Sequence, residues 1–289
     1  MSRRQTADRP EATSLLGKPL MRPPVPEASR AKLEADFAAA WDKARGEPSA
    51  DNIVWAGRRA AYLGKFRDAI EIFGGGMRLY PTDARLFRHR GHRYITVRQF
   101  EFAIADLENA ATLVKGQPDE IEPDGQPNAR NVPTGTLHSN IWYHLALARY
   151  LMGDFGRAAG DWTRARDAVK NPDNLVAASH WLYTSLRRAG RADEAKAVLD
   201  PIRADLDVIE NGSYHSLLLL YKGERTPADL LAKAPEGPAG TAVRYGVSAW
   251  YLYNNQPDAA RKLQDQILAG PDWPSFGYIA AEADVARKK

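Results

Sequence analysis

Apolar side chains recur every three or four positions along most of the chain. The stretch AGRRAAYLGKFRDAIEIFGGGMRLYP (residues 56–81) shows the pattern at Phe66, Ala69 and Phe73. A period close to 3.6 residues places such side chains on one face of an α-helix. The sequence therefore predicts an all-α protein built from amphipathic helices.

Small and aromatic residues also repeat at an interval of 34 positions, so that Gly57 returns as Gly91 and Ala69 returns as Ala103. This arrangement resembles the tetratricopeptide repeat (TPR), in which a small residue lets helix A approach helix B and a glycine makes the turn. The matching residues are, along the chain, Gly57, Gly64, Phe66, Ala69, Phe73 and Pro81; Gly91, Tyr94, Phe100, Ala103, Leu107 and Ala110; Trp142, Leu145, Ala146, Gly153, Phe155, Ala158 and Trp162; Gly190, Ala195 and Leu199; Gly223 and Ala228; Ala259 and Leu263. The resemblance implies about six helix-turn-helix units in a right-handed superhelical solenoid.

The segments outside the repeats complete the predicted organisation. Leu33, Phe37 and Trp41 form one stripe of a helix that can cover the first repeat, and a second helix closes the other end. The polar, proline-rich N-terminus predicts an arm that is not a folded element. The predicted boundaries are an extended arm at 1–27, a capping helix at 28–48, the repeat array at 50–270 and a second capping helix at 271–289.

An insert at 116–137 separates the second repeat from the third. Its proline, glycine and asparagine residues exclude continuous helix, and Asp119, Glu120, Glu122 and Asp124 make it acidic. Insertions in repeat arrays gather on one face, which is often the binding face. We expect this segment to fold over the groove and to touch the helices of His89 and His144.

The amino-acid composition excludes several classes of function. The chain has no cysteine, which excludes thiol catalysis and cysteine metal sites. Its formal charge is only +4, and its lysines and arginines are interspersed with acidic residues, so we expect no nucleic-acid partner. No apolar run is long enough to span a membrane, and the N-terminus lacks a signal-peptide core. We expect a cytoplasmic protein, or a periplasmic or secreted one if a signal peptide was removed.

The TPR resemblance assigns certain helix A positions to a concave groove. Aromatic residues, histidines and arginines fill these positions, and RHRGHRY (88–94) places two of the six histidines one helical turn apart. Within that stretch we expect His89 and His92 to face the groove, and Arg90 and Arg93 to point to solvent or to the neighbouring repeat. The candidate ligand-binding residues are Trp55, Arg58, Arg88, His89, His92, Tyr143, His144, His180, Trp181 and Tyr214.

Three interpretations of this face remain open from the sequence. The large side chains can simply pack between neighbouring helices. They can form a groove that binds a peptide segment of a partner protein or a small anionic ligand. Alternatively His89, His92, His144 and His180 can hold a divalent metal, as in a metal-binding protein or metalloenzyme, although the nearby arginines oppose a cation.

The sequence offers no phosphate loop, nucleophile elbow or dinucleotide fingerprint. We therefore expect a non-catalytic binding protein without a cofactor, and the metal site is the alternative.

Overall fold

The structure, a computed structural model, describes residues 9–168 and 170–287. These residues contain fourteen helices and one pairing of two very short strands, so the predicted all-α class is confirmed. The chain divides into two compact units, Met1–Gly116 and Gln117–Lys289, here called the N-terminal and C-terminal units. Across the described ranges, no helix is both long and apolar enough to cross a membrane.

The N-terminal unit is a succession of antiparallel helices, each packed against the next. A first helix, α1, precedes two helix pairs, α2–α3 and α4–α5. The bounds are α1 (Glu27–Gly46), α2 (Ala50–Tyr62), α3 (Phe66–Leu79), α4 (Ala84–Thr96) and α5 (Phe100–Leu113).

Glycine and alanine set the close contact within each of these pairs. A Cβ atom at Gly57 would overlap the ring of Phe73, and one at Gly91 would overlap the side chain of Leu107. Ala103, at the same contact in the second pair, is fully buried. The 34-residue spacing read from the sequence therefore corresponds to equivalent helix contacts.

The turns inside the pairs use the left-handed backbone region. Gly64 and Gly153 adopt φ values of 70° and 86°, which cost glycine nothing because it has no Cβ. Arg98, one repeat after Gly64, takes φ 65° in the same place. The turn geometry is thus kept in the second pair although the glycine is not.

The N-terminal segment is folded, which corrects the prediction for residues 11–22 of the arm. Strands β1 (Ala12–Thr13) and β2 (Pro19–Leu20) pair antiparallel. The Glu11 side chain, whose residue is 4% exposed, accepts hydrogen bonds from Arg22 and from the backbone N–H of Arg67 in the first turn of α3. A carboxylate at a helix N-terminus is favoured by the helix dipole, so Glu11 fixes this hairpin to α3. Residues 1–8 of the predicted arm lie outside the described residues.

The C-terminal unit holds four helix pairs and a final helix. The pairs are α6–α7, α8–α9, α10–α11 and α12–α13, and the helix that follows them is α14. The bounds are α6 (Leu137–Met152), α7 (Phe155–Ala168), α8 (Pro172–Arg188), α9 (Ala192–Val198), α10 (Gly212–Tyr221), α11 (Pro227–Ala232), α12 (Gly237–Tyr253), α13 (Pro257–Ala269) and α14 (Phe276–Ala286).

Helix α14 closes the C-terminal unit on itself. It packs against α12 and α13, its neighbours in sequence, and also against α6, the first helix of the unit. Arg287, directly after α14, donates a hydrogen bond of 2.7 Å to the carbonyl of Leu151 at the end of α6. All residues from Gly277 to Val285 are buried, so α14 is a central element and not the thin cover that its sequence stripe predicts.

The insert docks onto the C-terminal unit through polar contacts. Asp119 accepts a hydrogen bond of 3.0 Å from the backbone N–H of His138 in the first turn of α6. Arg130 forms a two-bond ion pair with Asp207, and Glu210 accepts hydrogen bonds from the side chains of Asn128 and Thr134. The predicted approach to the His144 helix is therefore present, whereas contact with the His89 helix stays a prediction.

Candidate functional site

The candidate residues of the N-terminal unit lie together on α2 and α4. We call this surface the arginine–aromatic face, and it consists of Trp55, Arg58, Tyr62, Arg88, His89, His92 and Arg93. The Arg58 guanidinium lies 4.4 Å from the centroid of the Trp55 ring, and that of Arg59 lies 5.2 Å from it. Such stacking holds a guanidinium flat while its N–H groups stay directed outwards.

Arg93 also belongs to this face, although it was not among the candidate ligand-binding residues. Burial, together with the positive charges of Arg88 and Arg58, lowers its pKa to about 9, while Tyr62 acts in the opposite direction. Its guanidinium also lies 5.5 Å from the centroid of the Phe66 ring. Arg93 thus points to the neighbouring repeat, which is one of its two expected directions, and there it lies close enough to Arg88 and Arg58 for their charges to act on it.

Other arginines of the same helices are matched with acids inside the unit. Arg90 forms a two-bond pair with Asp106 of α5, the other helix of its own repeat, at 2.7 and 2.8 Å. Arg59 lies 3.5 Å from Asp36 of α1.

His89 is a packed residue and His92 is more open. The His89 ring stacks on Phe73 with centroids 5.6 Å apart, and its Nδ1 accepts a hydrogen bond of 2.9 Å from Arg88. Because arginine has no acceptor, this bond leaves the proton of a neutral His89 on Nε2. His92 is only partly buried, so the two histidines share a face but differ in exposure.

In the C-terminal unit, two candidate residues form core. His180 is 0% exposed and Trp181 is 1% exposed. The Trp181 ring packs against Trp162, Tyr150 and Tyr245, with ring centroids 5.2–5.9 Å apart. The prediction that His180 and Trp181 contact a ligand is therefore wrong for this conformation, because neither offers surface to one.

Burial also determines the chemistry of His180. Desolvation lowers its pKa to about 3, so the imidazole is neutral at physiological pH. Its Nδ1 lies 3.1 Å from the Tyr221 hydroxyl, and its ring stacks on Tyr214 at 4.7 Å. It acts as an aromatic packing residue with one hydrogen bond.

The three remaining candidates, Tyr143, His144 and Tyr214, line a cavity of about 290 Å³. The cavity lies at the N-terminal ends of α6, α8, α10 and α14, where Phe276 and the insert residue Thr134 also reach it. His144 Nδ1 donates to the carbonyl of Asn140 at 2.6 Å. Burial raises the pKa of Tyr143 well above its ordinary value, so its hydroxyl stays protonated.

This cavity is small by the standards of ligand sites, which span about 300–1,000 Å³. Its lining could not be derived from the repeat alone, since Phe276 comes from α14 and Thr134 from the insert. Each unit thus holds five of the ten candidates. That the two sets face one groove stays a prediction.

The metal alternative gains no support from the part of the chain that the structure describes. No group of three or more histidine, aspartate or glutamate side chains there is placed to hold a metal ion. His144 and His180 are engaged separately, by a backbone carbonyl and by a tyrosine hydroxyl.

Comparisons with known proteins find likeness of structure only. No protein-family model matches the chain, and no curated protein matches it. Among solved structures, the crystal structure of YrrB, a TPR protein with an unusual peptide-binding site, is similar with 13% identity and a TM-score of 0.46, over 88% of this chain and 100% of that one.

Two complexes are also similar. Naa15/Naa10 bound to HypK-THB matches with 16% identity and a TM-score of 0.39, over 84% of this chain and 35% of that one. The APC/C hetero-tetramer Cut9-Hcn1 matches with 14% identity and a TM-score of 0.35, over 90% of this chain and 63% of that one. The chain's own geometry is that of a helical repeat protein, in which glycine contacts close the pairs α2–α3 and α4–α5 at a 34-residue interval.

Proposed function

We propose that this chain is a non-catalytic binding protein, and that its arginine–aromatic face takes up an acidic peptide segment of a partner protein. The observation that carries the proposal is the convergence of Arg58, Arg88 and Arg93 on one face of α2 and α4. A bound carboxylate relieves the repulsion among like charges, and its hydrogen bonds to guanidinium groups are charge-assisted.

The aromatic residues favour a peptide over a bare anion. Trp55 and His92 are partly exposed beside the arginines. A rigid aromatic surface next to guanidinium groups is the usual composition of a binding hot spot, and it provides apolar contact that an inorganic anion cannot use. A segment in which acidic and apolar side chains alternate fits both properties.

The test measures fluorescence anisotropy of a short labelled peptide rich in glutamate and leucine, beside the same peptide with glutamine in place of glutamate. We expect the glutamate peptide to bind more tightly and its affinity to fall as salt concentration rises, because exposed charges are screened. Arg58→Gln is expected to weaken binding about tenfold, or about 1.4 kcal/mol.

Arg30→Gln is the matched control, since it removes one arginine from the same unit on α1, where Arg30 pairs with Glu27. Its affinity is expected to equal that of the parent protein. Equal losses in both variants would reduce the binding to non-specific charge and overturn the proposal. Competition by citrate or phosphate at the concentration that the peptide needs would assign the face to a small anion instead.

A further inference from the structure

A second surface of the N-terminal unit has the features of a protein-interaction site. An apolar groove of about 600 Å³ runs between α1 and α3, and none of its lining residues belongs to the arginine–aromatic face. It is lined by Trp41 of α1, by Ile72 and Leu79 of α3, and by Ile53 of α2. Trp41 is 39% exposed and Leu79 is 59% exposed. Large apolar side chains grouped in one concave surface mark an interaction site more often than the same residues scattered singly.

Gly75, in the middle of α3, also lines the groove. A glycine inside a helix costs about 0.5–1 kcal/mol relative to alanine. The neighbouring Gly76 is explained by packing, because a Cβ there would come within 2.7 Å of Ile53 and 2.9 Å of Leu86. At Gly75 a Cβ would meet only the end of the Arg78 side chain, at 3.7 Å. Packing inside the chain therefore does not require this glycine, whereas the close approach of another helix does.

The charges around the groove are separated into two ends. Asp68 and Glu71 lie toward the start of α3, and Arg78 lies near its end with Arg45 from α1. Within residues 9–168 and 170–287, none of these four side chains forms an ion pair. Arg78 donates only to the carbonyl of Gly74. Many other arginines of the unit do have acidic partners, among them Arg22, Arg59 and Arg90.

This distribution of charges is self-complementary: after a two-fold rotation the acidic end of one copy faces the basic end of the other. Glu71 and Arg78 are seven residues apart, so they lie on the same side of α3, about 10 Å from each other along its axis. Gly75 falls near the midpoint between them. When a second α3 crosses antiparallel at Gly75, Glu71 of each copy comes beside Arg78 of the other. A two-fold interface requires such self-complementarity.

We propose that the groove between α1 and α3 binds a second copy of this chain, with the two α3 helices crossing antiparallel at Gly75. Trp41 and Leu79 of each copy enter the groove of the other, and Glu71 and Arg78 form reciprocal ion pairs.

Sedimentation velocity over a concentration series tests the proposal on the full chain. We expect the parent protein to dimerise, and Glu71→Arg and Arg78→Glu each to weaken association at least about tenfold. An equimolar mixture of these two variants is expected to recover the dimer, because one then presents only basic ends and the other only acidic ends. Recovery in the mixture requires a reciprocal contact, which general destabilisation cannot imitate.

Glu101→Arg on α5 and Arg225→Glu in the C-terminal unit are matched controls, since both positions are exposed and distant in sequence from the groove. They are expected to leave association unchanged. A parent protein that stays monomeric throughout the series overturns the proposal. A dimer that survives both groove variants places the interface elsewhere and overturns it equally. Because peptide binding uses α2 and α4, loss of either property leaves the other measurable.

Discussion

The hydroxyl oxygens of Tyr150 and Tyr245 lie 2.6 Å apart inside the C-terminal unit, although 95 positions separate the two residues in sequence. Tyr245 in turn donates a hydrogen bond of 3.2 Å to Asp284 of α14. These contacts join helices α6, α12 and α14, which belong to the first, fourth and closing parts of the unit. Trp181, which was predicted to line an open groove, packs against both tyrosine rings.

Asp284 is the charged centre of this closure. Its side chain is 1% exposed, and it pairs with Arg188 of α8 at 3.0 Å and with Arg287. Asp284→Ala leaves two partly buried guanidinium groups without their carboxylate, so we expect a loss of about 3–5 kcal/mol. Urea unfolding followed by tryptophan fluorescence measures it. Asp265→Ala on α13, whose partner Arg261 is exposed, is the control and should change stability by less than about 1 kcal/mol.

His180 gives a prediction for pH. Its pKa is about 3 in the folded chain and 6.5 when unperturbed, so between these values only the unfolded chain takes up a proton at this site. Stability is therefore lost as pH falls below about 6.5, by about 2 kcal/mol at pH 5. His180→Phe removes this proton, and the difference in unfolding free energy between parent and variant should shift by that amount between pH 7 and pH 5. A difference that does not vary with pH would show that the site is hydrated or otherwise accommodates the imidazolium.

Replacing glycine by alanine is expected to change stability in opposite directions at two positions of the repeats. Gly57→Ala forces a methyl group into the Phe73 ring and is expected to lower stability by about 1–3 kcal/mol. Gly160→Ala, on the exposed side of α7 where nothing lies within 4 Å, is expected to raise stability by about 0.5–1 kcal/mol. Thermal denaturation by circular dichroism distinguishes the two. A melting temperature unchanged by Gly57→Ala would mean that α2 and α3 separate readily.

The docked insert should open when its anchor is removed. Glu210 holds the side chains of both Asn128 and Thr134. Because these contacts are exposed, Glu210→Ala is expected to change global stability by less than about 1 kcal/mol, yet to speed hydrogen exchange in residues 117–135. Glu224→Ala, an exposed acid paired with Lys222, is the control. Equal exchange in both variants would show that other contacts suffice to hold the insert.

His89 and His92 should respond differently to replacement by glutamine. His89 is buried and stacked on Phe73, so His89→Gln is expected to cost about 1–2 kcal/mol of stability. His92 is partly exposed, and His92→Gln should leave the melting temperature within a few degrees of the parent value. Thermal denaturation of the two single variants decides the matter, and equal losses would show that both side chains support the core.

Local features of the fold follow directly from the sequence. The contact of Gly57 with Phe73 and the burial of Ala103 depend on residues within one helix pair, and the TPR pattern specifies such contacts. The site on α2 and α4 was likewise indicated by Trp55, Arg58 and Arg88. Arg93 was not among the candidate ligand-binding residues, because the sequence directed it to solvent or to the neighbouring repeat and could not show that the charges of Arg88 and Arg58 act on it there.

Distant contacts were not predictable in this way. The assignment of Trp181 to a groove assumes that successive repeats leave the concave side open. The packing of α14 against α6 removes that space, and it rests on partners such as Arg287 and Leu151, which are 136 positions apart. The insert posed the same difficulty, because its anchors Asp207 and Glu210 belong to a loop between later helices.

The closing position of α14 has a consequence for how the chain is made. In an open repeat array each unit depends only on its neighbours, so the array can gain structure step by step as it is synthesised. Here the first helix of the C-terminal unit, α6, finds its partner α7 early, but its contact with α14 must wait until the last helix has been translated. The side of α6 that α14 covers therefore stays exposed while residues 117–275 emerge from the ribosome, and the unit is completed in a late step.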